Sequence, residues 1–224
     1  MKKLCFVALF TFGAMFVLSS FDAHASSVRC PRHEIKTSMK NKLYKTRIFR
    51  GTTKGFTDYT QGHSRGNSRT LGFVEYRGLT TSVKTDFDVV EVGQGYYCVK
   101  MTRVQGSFNM RPKLFMPTDY SRKSCEYQQI LKHEKRHLKV LKNFHTKYSK
   151  KFEAHMGRIA RDVPISRPVK TQEEVNAVAA GLDMYFVNNF KEFELKAWNL
   201  MQAQQAKIDS PQEYIGVSKR CKNW

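Results

Sequence analysis

The hydrophobic period of this chain changes once, at Pro117, and that change constrains its architecture more than any other feature. Upstream, from Tyr44, apolar and polar residues alternate with period two, as in strands that bury one face. The clearest runs are LGFVEY (71–76), LTTSVKTDFDVVEV (79–92), YYCVKMTRV (96–104) and KLFM (113–116). Gly93-Gln94-Gly95 between two of them predicts a hairpin loop, and QGHSRGNSR (61–69) predicts an irregular one. Downstream of Pro117 the period is helical. Ile130, His133, Glu134, His137, Leu141, Phe144, Tyr148 and Phe152 share one face of a helix from about Ser124 to His155. Lys132, Lys135, Arg136, Lys139, Lys142, Lys147 and Lys150 take the other face. Gly157, Pro164 and Pro168 mark its end and a linker. TQEE (171–174) is a capping box that opens a second helix to about Lys207, and Ser210-Pro211-Gln212-Glu213 opens a short third. Strands first and helices after predict an α+β fold. An N-terminal antiparallel β-sheet (about 44–117) precedes a long helical hairpin (helical part about 124–222), and residues 26–43 form an extended entry.

The first 25 residues read as a cleaved leader. Lys2 and Lys3 precede an apolar run from Leu4 to Leu18, and Ala23-His24-Ala25 is a small-x-small cleavage site. This is a bacterial Sec-type signal peptide, cut after Ala25, and residues 26–224 form a single domain. The apolar run is shorter than the ~20 residues of a membrane span, so a membrane-spanning protein is not expected. The expected location is periplasmic or secreted.

Export changes the meaning of the cysteines. Cys5 leaves with the leader, and Cys30, Cys98, Cys125 and Cys221 remain. An even number in an oxidising compartment predicts two disulfides out of three possible pairings. The expected pairs are Cys98–Cys125, tying a strand to a helix start, and Cys30–Cys221, pinning both chain ends. No pair has the close spacing of a structural zinc site.

Charge narrows the partners. The full chain carries a formal +20, and loss of Lys2, Lys3 and Asp22 leaves +19. Such a surface attracts anions, so docking on an anionic envelope surface is an expected property. Aromatic residues do not interleave with the basic stripe, and no specific nucleic-acid binding is expected.

His133-Glu134-Lys135-Arg136-His137 is an HExxH motif. On a helix the two imidazoles lie one turn apart on one face and can grip a single metal ion, Zn²⁺. Glu134 beside them is the expected catalytic base toward a metal-bound water. The motif lies on the apolar face, where burying a carboxylate and two imidazoles without a partner costs several kcal/mol. The motif predicts a metallopeptidase that hydrolyses a peptide or protein substrate. A second reading keeps the site as structural or degenerate in a non-catalytic, basic envelope-binding protein.

The segment from Tyr97 to Phe144 resembles a bacterial family of predicted secreted zinc proteases, catalogued as domain of unknown function 922. The resemblance rests on LFMP (114–117), on Tyr127 six residues before the motif, and on HEKRH itself. It implies a zincin-like fold and a zinc-dependent peptidase. Lys135 and Arg136 stand where that family has smaller residues. Its later YDxxTxHG-like stretch corresponds here to IDSPQEYIG (208–216), in which Asp209 matches and Tyr214 stands in place of the histidine.

A catalytic zinc takes three protein ligands, and HExxH supplies two. The position ten residues after His133 is Asn143, and His145 lies about two turns beyond His137, too far along the helix to share the ion. An antiparallel hairpin with Met156 near Thr171 places residue 135 opposite about 192. That makes Glu194 the expected third ligand, with Asp209 its rival through the family resemblance.

Overall fold

The computed structural model describes residues 28–61, 70–76, 80–222 and 224. The expected leader (1–25) and most of the 61–69 loop lie outside the described residues. Along the chain come β1 (Lys36–Leu43), β2 (Arg47–Gly51), α1 (Thr53–Gln61), β3 (Phe73–Glu75), β4 (Thr80–Gly93) and β5 (Tyr96–Met110). They are followed by β6 (Lys113–Pro117), α2 (Cys125–Asp162), α3 (Gln172–Ile208) and α4 (Pro211–Ser218). The architecture is α+β, with strands first and a long helical region after.

β5 alternates buried and open positions, and its buried set includes Val104, Gly106, Phe108 and Met110. It is the centre of a three-stranded sheet, order β1-β5-β4. β4 is its hairpin partner through Gly93-Gln94-Gly95, whose φ angles of 104°, 53° and 71° explain the flanking glycines. A second three-stranded sheet has the order β2-β6-β3. Each sheet holds one parallel pair, β1 with β5 and β2 with β6, so both are mixed and not antiparallel as expected. The reason is β1. KTSMKNKL is nearly all polar and reads as a solvated entry, yet its backbone pairs with β5 along an edge where most side chains stay exposed and Met39 alone of them packs on the core. α1 is the other departure within the strand region. Its buried Phe56 meets Phe73 and Phe115 edge-on, with ring centroids 5.6 and 5.9 Å apart, and Asp119 accepts from the Thr53 N–H at its start (2.6 Å).

Ser124 caps α2 by accepting from the Tyr127 N–H. α2 passes through Gly157 and ends only before Val163-Pro164, because the residue preceding proline disfavours the helical region. The expected capping box starts α3, with Thr171 and Glu174 bonded reciprocally, and Ser210 with Pro211 starts α4. α2 stands on both sheets. Its C-terminal part, with Leu141, Phe144, Phe152 and Met156, packs against β5 and against Phe186, Phe190 and Met201 of α3. Its N-terminal part, with Tyr127, Ile130 and Leu138, packs on Leu114 and Met116 of β6. The HExxH turn lies in this second contact. Among the described residues no helix is long and apolar enough to cross a membrane.

Cys30, Cys98, Cys125 and Cys221 are all bridged, but the pairs are Cys30–Cys98 and Cys125–Cys221, not Cys98–Cys125 and Cys30–Cys221. Strand register explains the first. Parallel pairing sets Lys36 beside Arg103, so the chain just upstream of β1 runs back to the start of β5. The return of α4 to the beginning of α2 explains the second. Peptide mapping of the oxidised protein is expected to recover these two links and no free thiol. Removing Cys30–Cys98 by paired substitution should lower stability by roughly 2–5 kcal/mol in denaturant titration.

Candidate metal centre

His133, Glu134 and His137 are 7%, 4% and 7% exposed, as the apolar face of α2 requires. Against them lies Asp209, the C-cap residue of α3. Its Oδ1 is 3.2 Å from His133 Nε2 and 3.0 Å from His137 Nε2, and the two Nε2 atoms are 3.2 Å apart. Zinc bonds of 2.0–2.2 Å place tetrahedral donors about 3.3 Å from one another. The triad therefore fits a cation of that size, and it is the one His/Cys/Asp/Glu group of this kind among the described residues. Two imidazoles and a carboxylate are the donor set of a three-ligand zinc site with a position left open.

Neighbouring side chains orient the triad. Gln205 Oε1 is 2.5 Å from His137 Nδ1, and Gln205 Nε2 donates to the His137 carbonyl (3.3 Å). That holds the His137 ring with Nε2 toward Asp209, the usual support for a ligating imidazole. Arg136 Nη2 lies 2.9 Å from His133 Nδ1 and donates to Glu213 Oε1 (2.5 Å). Since guanidinium only donates, His133 Nδ1 accepts, and its Nε2 proton points at Asp209. Burial works against charge on His137, but hydrogen bonds to Asp209 and Gln205 outweigh it and raise its pKa. Protons thus sit where a cation would, and loading the ion displaces them. The Tyr214 hydroxyl donates to Asp209 Oδ1 (3.0 Å), and its ring tilts over His133. Burial would push the Asp209 carboxyl up, yet hydrogen bonds from His133, His137 and Tyr214 hold it below the usual carboxylate range.

Glu134 differs from its neighbours. Its Oε2 is buried and has no hydrogen-bond partner among the described residues. Burial pushes its pKa up to about 7, with the imidazoles offsetting only part of that effect. It lines two clefts of about 260 and 250 Å³ that flank the triad. The backbone before β3 crosses directly above. A Cβ on Gly72 would lie 2.8 Å from Ile130 Cγ2 and 3.0 Å from the Phe115 carbonyl oxygen, so only glycine permits this approach.

Glu194 is not in the site. It accepts a hydrogen bond from the Thr81 hydroxyl of β4. The hairpin count failed because α2 runs on to Asp162 and Val163–Lys170 takes an extended path, with Val169 bridged to Tyr97. As a result residue 137 faces 205 and residue 155 faces 189. Gln205 is a supporting residue that the sequence reading overlooked, and Tyr214, noted there only as standing in place of a histidine, is a second. A signal for Gln205 was present. Ala197, Met201, Gln205 and Asp209 follow at four-residue steps, and this stripe turns polar just where the polar turn of α2 faces it. His145 and His155 pack instead on Phe108 and Phe193.

Comparison with protein-family models, curated proteins and solved structures finds no match to this chain.

Two outcomes are expected. Alanine at His133, His137 or Asp209 should weaken zinc affinity by at least about a hundredfold in competition with a chromophoric chelator, and alanine at Glu194 should leave it near wild type. In ion-free protein, the unfolded chain releases the Glu134 proton near pH 4.5 while the folded protein keeps it to about 7. Stability present below pH 4.5 is therefore lost as pH rises to 7, by about 3 kcal/mol. Because Asp209 and His137 also titrate around this range, the readout is the difference: denaturant titrations should show stability changing about 3 kcal/mol more unfavourably from pH 4.5 to 7 in wild type than in Glu134→Gln.

Proposed function

We propose that this chain is an exported, zinc-dependent peptidase in which His133, His137 and Asp209 hold the ion and Glu134 moves the proton. The observation that carries the reading is the buried Glu134 Oε2, without a hydrogen-bond partner among the described residues and on a carboxyl with its pKa near 7, beside a three-donor cluster that fits a cation. A general base is most effective when its pKa lies near the working pH. The proposed kinship with domain of unknown function 922, and with it a zincin-like fold, rests on Pro117, Tyr127 and HExxH, and gains support from Asp209 at the triad.

Bound Zn²⁺ would supply a Lewis acid that polarises a peptide carbonyl and makes water acidic near neutral pH. Glu134 Oε2 takes the proton as water oxygen bonds to the carbonyl carbon. It then passes that proton to the amide nitrogen as the C–N bond breaks. Gln205 keeps the His137 ring in place, and Gly72 lets the 70–72 segment shield the carboxyl from bulk water. β3 is an edge strand of its sheet, and a neighbouring edge is a ready template for an extended peptide. Thr70, Gly72, Phe73 and Val74, at and before that strand, line the same clefts as Glu134.

Two bridged cysteine pairs support an oxidising location outside the cytoplasm. Lys132, Lys135, Lys139, Lys142, Lys147 and Lys150 are all exposed along α2, which supports docking on an anionic envelope surface.

The test is zinc-loaded protein assayed on denatured casein and on fluorogenic peptides. Glu134→Gln should keep zinc at one equivalent and lose activity by about 10²–10⁴-fold. Loss of zinc with that substitution would make Glu134 a structural group. One equivalent of zinc in the wild type with no hydrolysis would favour a non-catalytic site.

A further inference from the structure

We infer that this site selects peptides with a large apolar side chain next to the scissile bond, seated in a pocket walled by Leu71, Tyr120, Val217 and Trp224. The inference rests on the peptidase reading above. The cleft over His133 and Glu134 continues past Leu71, Tyr214 and Val217 into a further hollow of about 260 Å³. Tyr120 and Trp224 close its far side, with ring centroids 6.3 Å apart and planes at 71°. Ser218 is at the rim, and among the described residues no Asp, Glu, Lys, Arg or His side chain lines the hollow. A side chain placed there leaves water for aromatic and aliphatic walls, which suits Phe, Tyr, Leu or Met.

The cleft on the other side of Glu134 is unlike it. Thr60, Thr70, Gln205 and Asp209 line that cleft beside Phe73, Val74 and Tyr76, so its wall is mixed and an apolar group there would displace water from polar atoms that the apolar hollow lacks. The two sides of the scissile bond are thereby distinguished. The apolar wall is also anchored. Trp224 lies three residues beyond Cys221, which is bridged to the first residue of α2, and Arg220 Nη1 donates to Gln129 Oε1 of α2 (3.1 Å). Tyr120 lies five residues before the same α2 cysteine. One disulfide thus holds both far walls in register with the helix that carries HExxH.

The experiment is cleavage of a degenerate hexapeptide pool by the zinc-loaded protein, with sites mapped by mass spectrometry. Phe, Tyr, Leu or Met should be enriched at one of the two positions flanking the cut. Ser218→Trp fills the pocket from an exposed position, and Trp224→Ala removes a wall. Each should lower the ratio of kcat/KM between a Phe substrate and its Ala counterpart by at least about tenfold, with zinc content and circular dichroism unchanged. Cleavage without apolar preference, or a preference that survives both substitutions, overturns the pocket and leaves the peptidase reading standing. If no peptide is cut, the peptidase reading falls. The pocket is then read by NMR titration with N-acetyl-L-phenylalaninamide. Shifts at the Leu71 and Val217 methyls that Ser218→Trp abolishes retain an apolar site, and their absence removes it.

Discussion

A carboxyl and two imidazoles lie on the face of α2 that is otherwise apolar, and they have to be satisfied with almost no water. Much of the C-terminal part of the chain serves that need. The last turn of α3 brings Gln205 and Asp209 to the histidines, and α4 brings Tyr214 to Asp209 and Glu213 to Arg136. Asp209 stays ionised because three donors converge on it, and those donors are turned toward it because it is ionised. Glu134 is left out of this exchange and keeps a proton to about pH 7. Four buried side-chain atoms have no hydrogen-bond partner among the described residues, and of these only Glu134 Oε2 belongs to a residue at the meeting point of the two clefts.

The two sheets divide the labour beneath α2. The β1-β5-β4 sheet and α3 give its C-terminal part a large apolar contact that anchors the helix. The β2-β6-β3 sheet gives its N-terminal part a smaller one and leaves the upper side open to the segment at 70–72. Stability and access are thus separated along one 38-residue helix. The disulfides follow the same division. Cys30–Cys98 ties the entry segment to β5, and Cys125–Cys221 closes the C-terminal segment over the site end of α2.

Much of this was legible in the sequence, because much of it is local. The i, i+4 spacing of His133 and His137, their place on an apolar face, the caps at Ser124, Thr171 and Ser210, and the Gly93–Gly95 hairpin each depend on a few neighbouring residues. Local patterns were misleading where the deciding contacts were distant. KTSMKNKL has no run of apolar alternation, because an edge strand held by its backbone and by Met39 alone on the core needs none. Gly157 resembles a helix stop, but the helix continues through it to the proline that ends it.

By itself the sequence determined that the strand region precedes the long helices, the two histidines with their glutamate, the cysteines available for bridging and the basic outer face of α2. Each of these follows from composition or from one helical or strand period. Only the tertiary structure decided that Asp209, not Glu194, meets the histidines, and that the cysteines pair as 30 with 98 and 125 with 221. These choices join residues 68 to 96 positions apart. They turn on the register between α2 and α3 and on a parallel strand pair, which are set by packing across the whole molecule. A few residues of added helix and an extended linker moved the facing point along α3 by several turns, and no periodic pattern within either helix records that displacement.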